Sequence, residues 1–224
     1  VNLFEKQILS LYPNAVLTEQ THDYNIFVNG GVSLVSRATL HKHSLYPLKT
    51  YEAFNHDTLA VLLNAFSKIE REGGGAALQI SLRSGRDVYA HTYREIMRKV
   101  RDGVSPGKAI SLSTMKGELL HTVKGIFSSR PNKDKEKDKH VDEIALKQFE
   151  DKVASPMYEV NIRVVVSASD TMRAEQILSD IESSFNQFEN ALGNRITFHT
   201  CKGREATAAL TAFSFREFMQ KEIL

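Results

Sequence analysis

Between residues 57 and 83 the apolar positions change period, from helical to extended. Leu59, Leu62, Leu63, Phe66 and Ile69 recur at helical spacing, which predicts one apolar stripe. Asp57 stands where its carboxylate can accept from the exposed amides of the first turn, an N-cap worth about 1 kcal/mol. Gly73-Gly74-Gly75 predicts the stop, because glycine takes positive φ at no steric cost. Ala76, Leu78, Ile80 and Leu82 then alternate with Ala77, Gln79, Ser81 and Arg83, the period of a strand with one buried face. A helix stripe and a strand face this close in sequence are expected to pack together, so the unit reads as the core.

The same arrangement recurs. After the turn signal Asn29-Gly30-Gly31, Val32, Leu34, Ala38 and Leu40 predict a strand to about His41. Tyr158, Val160, Ile162, Val164 and Val166 alternate strictly, the clearest strand in the chain. Ser169-Asp170-Thr171 then caps one long helix with Ala174, Ile177, Leu178, Ile181, Phe185, Phe188 and Leu192 on a single face. Gly193-Asn194 turns it, and Ile196 and Phe198 mark a last strand. Residues 32–83 and 157–200 are thus two βαβ units in series. That order predicts a ferredoxin-like α+β sandwich, an antiparallel four-stranded sheet with helices on one face.

Residues 84–156 fall between the units as a helical insertion. A helix is expected over 87–101, with Tyr89, Tyr93, Ile96, Met97 and Val100 on one side, and another from Val141 to Val153. The stretch from about 102 to 140 reads as a charged flexible linker, broken by Ser105-Pro106-Gly107 and holding a short helix around Met115 to Phe127. Its run Lys133-Asp-Lys-Glu-Lys-Asp-Lys139 has no apolar content with which to offset an ordering cost of about 1–2 kcal/mol per residue. Residues 1–31 carry Leu3, Phe4, Ile8 and Leu11 on a helical face, then a short strand at 15–20, and read as the end of a preceding α/β unit. Residues 201–224, with the apolar cluster Phe213, Phe215, Phe218 and Met219, read as a segment leading to a further domain downstream, the cluster either packing under the sheet or running on into that domain.

Composition narrows the classes. With 42% hydrophobic and 25% charged residues, the 224-residue chain is neither disordered nor fibrous. A net charge of +2 is too mild to imply nucleic acid without a local patch. Cys201 is the single cysteine, so no internal disulfide is available. No apolar run approaches the roughly 20 residues that span a bilayer, so no membrane insertion is expected of this chain.

Two sets of cations make the local patch worth considering. Arg94, Arg98 and Arg101, with Lys99 beside them, form a basic stripe on the 87–101 helix, able to neutralise a few phosphates; a solvated helix face is the more ordinary reading. The open face of the expected sheet carries Arg37 and Arg163 among Thr39, His41, Gln79, Ser81, Arg83, Asn161, Thr197 and His199. It has no aromatic residue on which bases can stack.

Catalytic candidates are weaker. Gly103-Val-Ser-Pro-Gly107-Lys108-Ala109 is one residue short of a phosphate loop, lacks the hydroxyl for magnesium and follows a helix. His41 and His43 lack a third metal ligand, and His199 with Cys201 lacks an orienting carboxylate. Asp57 and Asp170 are explained as caps. No catalytic residue, metal site, cofactor or small-molecule substrate is therefore expected, and the chain is read as not an enzyme.

Several stretches together resemble the N-terminal region of bacterial type IV secretion and conjugative-transfer ATPases of the FtsK–HerA class. They are Gln7-Ile-Leu-Ser-Leu-Tyr12-Pro-Asn-Ala15, Tyr46-Pro-Leu-Lys-Thr50-Tyr51, Leu62-Leu-Asn-Ala-Phe-Ser-Lys68, Ala77-Leu-Gln-Ile80, Tyr158-Glu-Val-Asn-Ile-Arg163, Arg173-Ala-Glu-Gln-Ile177 and Phe213-Ser-Phe-Arg-Glu-Phe218. They span most of the chain outside 102–156. The chain departs from that pattern at Asp57-Thr58, where an acidic residue followed by proline is usual, and at Gly73-Gly74-Gly75, where glutamate is commoner. The resemblance implies an accessory domain cut from a longer protein whose ATPase motor lies downstream. It further implies contacts with other secretion or conjugation subunits, or self-association, on the cytoplasmic side at the inner face of the membrane. DNA binding through the basic stripe and the polar sheet face is the alternative.

Overall fold

A computed structural model of the chain describes residues 2–19, 25–69, 73–85, 87–119 and 141–224. Strand β3 (Tyr158–Ala168) is apolar on both faces at Val164, Val165 and Val166, and a strand of that kind belongs in the middle of a sheet. It pairs antiparallel with β2 (Gly74–Ser84), from Gly74 opposite Ala168 to Ser84 opposite Tyr158. On its other side lies β1 (Val32–Leu40), with Val32 opposite Ala168 and Arg37 opposite Arg163. β4 (Ile196–Thr200) pairs antiparallel with β1 and closes the order β2-β3-β1-β4. The crossover helices are α2 (Thr58–Ser67) and α6 (Thr171–Ser183), so this is the expected ferredoxin-like α+β sandwich.

Strand alternation turns Leu34, Ala76, Leu78, Val164 and Val166 toward these helices. Ala65, Ala174, Ile177, Leu178 and Ile181 close the core from above. Both helices open on aspartate caps: Asp57 accepts from the Leu59 N–H and Asp170 from the Arg173 N–H, each at 2.9 Å. That hydrogen bond, with the Ser169 hydroxyl's, holds the Asp170 carboxyl below its usual range.

Several expectations need correction. The stripe on α2 is narrower than its sequence suggested: Leu62 and Ala65 are buried, whereas Leu59 and Leu63 stay more than half exposed. Ile80 and Leu82 are 49% and 66% exposed, because β2 is an edge strand whose far half lies beyond the helix layer. Gly74 and Gly75 belong to β2, and α2 already closes at its C-cap Lys68. Gly75 is needed for a different reason: a Cβ there would run into the Ile26 carbonyl oxygen. The long helix from Thr171 ends at Ser183 and tightens into a 3-10 turn, Ser184–Phe188, that still seats Phe185 while Leu192 points outward.

The insertion is a small helical unit of its own. In α3 (Asp87–Arg101), α4 (Pro106–Leu119) and α5 (Glu143–Ala154), Tyr93, Ile96, Met97, Val100, Ala109, Ala145 and Phe149 share one core with Leu45. Ser105-Pro106-Gly107 does not break a helix here. Pro106 occupies the first position of α4, where a missing N–H costs nothing, and the Ala109 N–H donates to the Ser105 carbonyl. Residues 120–140, with the charged run and the end of the expected short helix, lie outside the described residues.

Helix α1 (Asn2–Leu11) exposes Leu3, Phe4 and Leu11, and residues 15–19 form no strand. The other end adds a layer. Helix α7 (Arg204–Ser214) crosses the second face of the sheet, where Ala206, Ala209, Leu210 and Phe213 pack on Val35, Val165 and Cys201.

Candidate functional site

The sheet face expected to be open is occupied by the chain's own C-terminal segment. Arg163 is fully buried. Its Nε donates to Glu222 Oε2 at 2.8 Å, and Nη1 donates to Gln79 Oε1 at 2.9 Å and to the Glu217 carbonyl at 2.8 Å. Asn161 donates to the carbonyls of Met219 and Glu222 and accepts from the Met219 N–H at 2.6 Å. Arg37, directly across the ladder from Arg163, pairs with Glu205 and lies 3.7 Å from Glu222 Oε1. Glu222 thus sits between two arginines that would otherwise face each other as like charges. Arg83 completes the row, held by Glu159 and Gln220 with the Phe218 ring 4.3 Å away. Arg163 therefore cannot meet a nucleic acid, and Arg37 is committed to carboxylates; both are seats for residues 205–222.

The α3 stripe is also largely neutralised. Lys99 lies 3.0 Å from Glu95 and donates to the Ser113 hydroxyl at 2.7 Å. Arg101 reaches Glu150 at 2.6 Å and Arg98 approaches Asp102 at 3.8 Å. Arg94 is exposed. The structure does not bring these four together with Arg37 and Arg163 into one surface, since the latter two lie under α7 and the C-terminal segment.

A wide groove of about 1510 Å³ opens instead between the helical insertion and the sheet. One wall is α3 and α5, the other the segment 39–53; Glu159, Gln220, Ile223 and Leu224 line it between them, and Tyr158, 60% exposed, stands at its rim. Among its lining residues the Tyr93 hydroxyl and Ser44 Oγ lie 2.7 Å apart, and the His43 ring, outside that lining, meets Tyr93 edge-on at 5.9 Å. Burial pushes the Tyr93 phenol up and holds the Lys152 ammonium below its usual value. Burial, with the Lys152 charge nearby, also lowers His43. The sequence reading missed this site; its one signal was Lys152, a turn beyond Phe149 on the buried side of α5.

The His43 arrangement has a pH consequence. Neutral His43 Nδ1 accepts from the Leu45 N–H at 3.2 Å, and protonation would remove that acceptor. Because the folded pKa is depressed, the unfolded chain binds the proton first as pH falls. Stability is therefore expected to be full above the ordinary imidazole value of about 6.5 and to decline below it. Denaturant midpoints across that range should show the decline, and His43→Gln should flatten it.

The remaining candidates come apart. Gly103, at φ +85°, and Ser105 form the link between α3 and α4, and Ala109 is buried in the helical core. His199 turns to Glu205 at 3.2 Å, while Cys201 is buried and its thiol pushed up chiefly by desolvation. No group of three metal-ligating side chains occurs among the described residues. No described helix is long and apolar enough to cross a membrane.

The class these features define is a ferredoxin-like α+β domain with a helical insertion on one side and a C-terminal cover on its second sheet face. The chain belongs to the DUF8128 family, a domain of unknown function, whose family model matches residues 2–223. No curated protein and no solved structure matches it.

Proposed function

We propose that this chain is a non-catalytic assembly domain of a type IV secretion or conjugative DNA-transfer ATPase, holding contacts with other subunits on the cytoplasmic side. The observation that best supports it is the groove. At about 1510 Å³ it exceeds the roughly 300–1,000 Å³ of sites that enclose a small molecule. Tyr51, Tyr89 and Tyr158 line it, and such rings are favoured where proteins meet. Three lysines (42, 49, 152) face four carboxylates (52, 151, 159, 189), so no cationic excess awaits a phosphate backbone. A polypeptide segment of a neighbouring subunit fits this lining.

In the whole protein, Tyr51→Ala and Tyr158→Ala on the exposed rim are expected to lower recovery of partner subunits on co-purification. Circular dichroism and ATPase turnover by the motor should stay unchanged. Undiminished recovery of partners would overturn the groove reading. For DNA one observation remains, the exposed Arg94 beside Arg98 on α3. Affinity for DNA that falls steeply with salt, and that Arg94→Ala weakens, would favour that reading instead.

A further inference from the structure

We propose that the outer edge of β2 is a self-association surface, on which a second copy of the chain adds its own β2 antiparallel, so that the two four-stranded sheets continue into one. The proposal rests on the reading of the chain as an assembly domain, and names the surface and the partner. β2 pairs only with β3, and the backbone groups on its far side meet no partner among the described residues. A row of unpaired N–H and C=O groups is a template for another strand.

Edge strands are ordinarily blunted by shortness, proline, a bulge or charge. β2 has none of these along its middle. It runs 11 residues, in register with β3 throughout and without a bulge. Its one charge, Arg83, stands near the end and is engaged by Glu159 and Gln220. The opposite edge shows the contrast: β4 has 5 residues, with Thr197 and His199 among them. Among the described residues, one edge is protected and the other is not.

The sequence of β2 is its own complement. A twofold axis at Ile80 sets this residue against the partner's Ile80 and Leu78 against the partner's Leu82, apolar on apolar, on the face shared with α2. Gln79 then meets the partner's Ser81, and Arg83 meets the partner's Ala77, so no like charges oppose. A slip of one residue would put this apolar row against the polar one, which disfavours the odd registers. Ile80 and Leu82, 49% and 66% exposed in the single chain, are the side chains this pairing covers.

Sedimentation of the 224-residue chain over a wide concentration range tests the idea. The expected result is a species of twice the 25.2 kDa chain mass at high concentration. Ile80→Lys and Leu82→Lys should each return it to the single-chain mass with an unchanged circular dichroism spectrum. A second measurement does not depend on those variants folding. In a Cys201→Ser background, Ile80→Cys should form an intermolecular disulfide under mild oxidation, while Leu59→Cys on the exposed side of α2 should not. A dimer that survives both lysine variants would overturn the β2 edge and leave the assembly reading standing. A chain that stays single at every concentration would overturn the proposal and confine the assembly reading to contacts with other proteins. Equal cross-linking at the two cysteine positions would overturn it too.

Discussion

Glu222→Ala is expected to destabilise the fold by about 3–5 kcal/mol, the usual cost of leaving a buried charge without its partner. The carboxylate is almost fully buried, it accepts from Arg163 at 2.8 Å, and its other oxygen faces Arg37. Its loss strands a guanidinium with no access to water and lets two arginines face one another across the β1–β3 ladder. It also loosens the strap formed by residues 217–222, because Asn161 and Arg163 hold the carbonyls of Glu217, Met219 and Glu222 as one network. Guanidinium denaturation followed by circular dichroism measures the effect. Glu222→Gln keeps an acceptor and should cost less. The double variant Arg163→Met, Glu222→Leu should recover much of the loss, since an apolar pair of similar volume often replaces a buried ion pair without penalty. A loss below about 1 kcal/mol for Glu222→Ala would put the contact in the class of surface bridges and sink the argument.

The second large effect is expected in the other core. Phe149 is fully buried among Ile96, Met97, Val100 and Leu45, with the Tyr46 ring edge-on at 4.9 Å. Phe149→Ala should cost about 3–5 kcal/mol through lost burial and the cavity left behind. Because this cluster is separate from those on the sheet, the loss should be local. Hydrogen exchange is expected to speed up for amides of α3 and α5 while β3 and α6 stay protected. Uniform acceleration across both regions would show instead that insertion and sheet unfold as one unit.

Local pattern carried the architecture a long way. The alternation at 158–166, the aspartate caps at 57 and 170 and the helical stripes of α3 and α6 are all written in neighbouring residues, and each element appears close to where its period placed it. Two βαβ units in series then left little choice of sheet order. Helix α7 was not expected from the sequence, although Ala206, Ala209, Leu210 and Phe213 keep helical spacing. Its alanines make a weak stripe and Gly203 offers no side-chain cap, so the signal was faint.

Burial was harder to read, because it depends on partners distant in sequence. The same alternation buries Leu78 in the middle of the sheet and leaves Leu82 in solvent, since only the position of β2 at the edge separates them. The cations show the point most sharply. Lys99, Arg101, Arg37 and Arg163 are alike as letters, and a basic residue on a polar face suggests solvent or a phosphate. Their acidic partners are supplied by folding: Glu150 to Arg101, Glu205 to Arg37, and Glu222, 59 residues away in the chain, to Arg163. The groove has the same origin, for it exists only where the insertion and the sheet stand apart. What the sequence determined by itself were the elements, their caps and their order, which short-range sterics and apolar periodicity set. What only the tertiary structure decided was which charges are neutralised, which sheet face is covered and which strand edge is left open, because each depends on groups that meet only once the chain has closed.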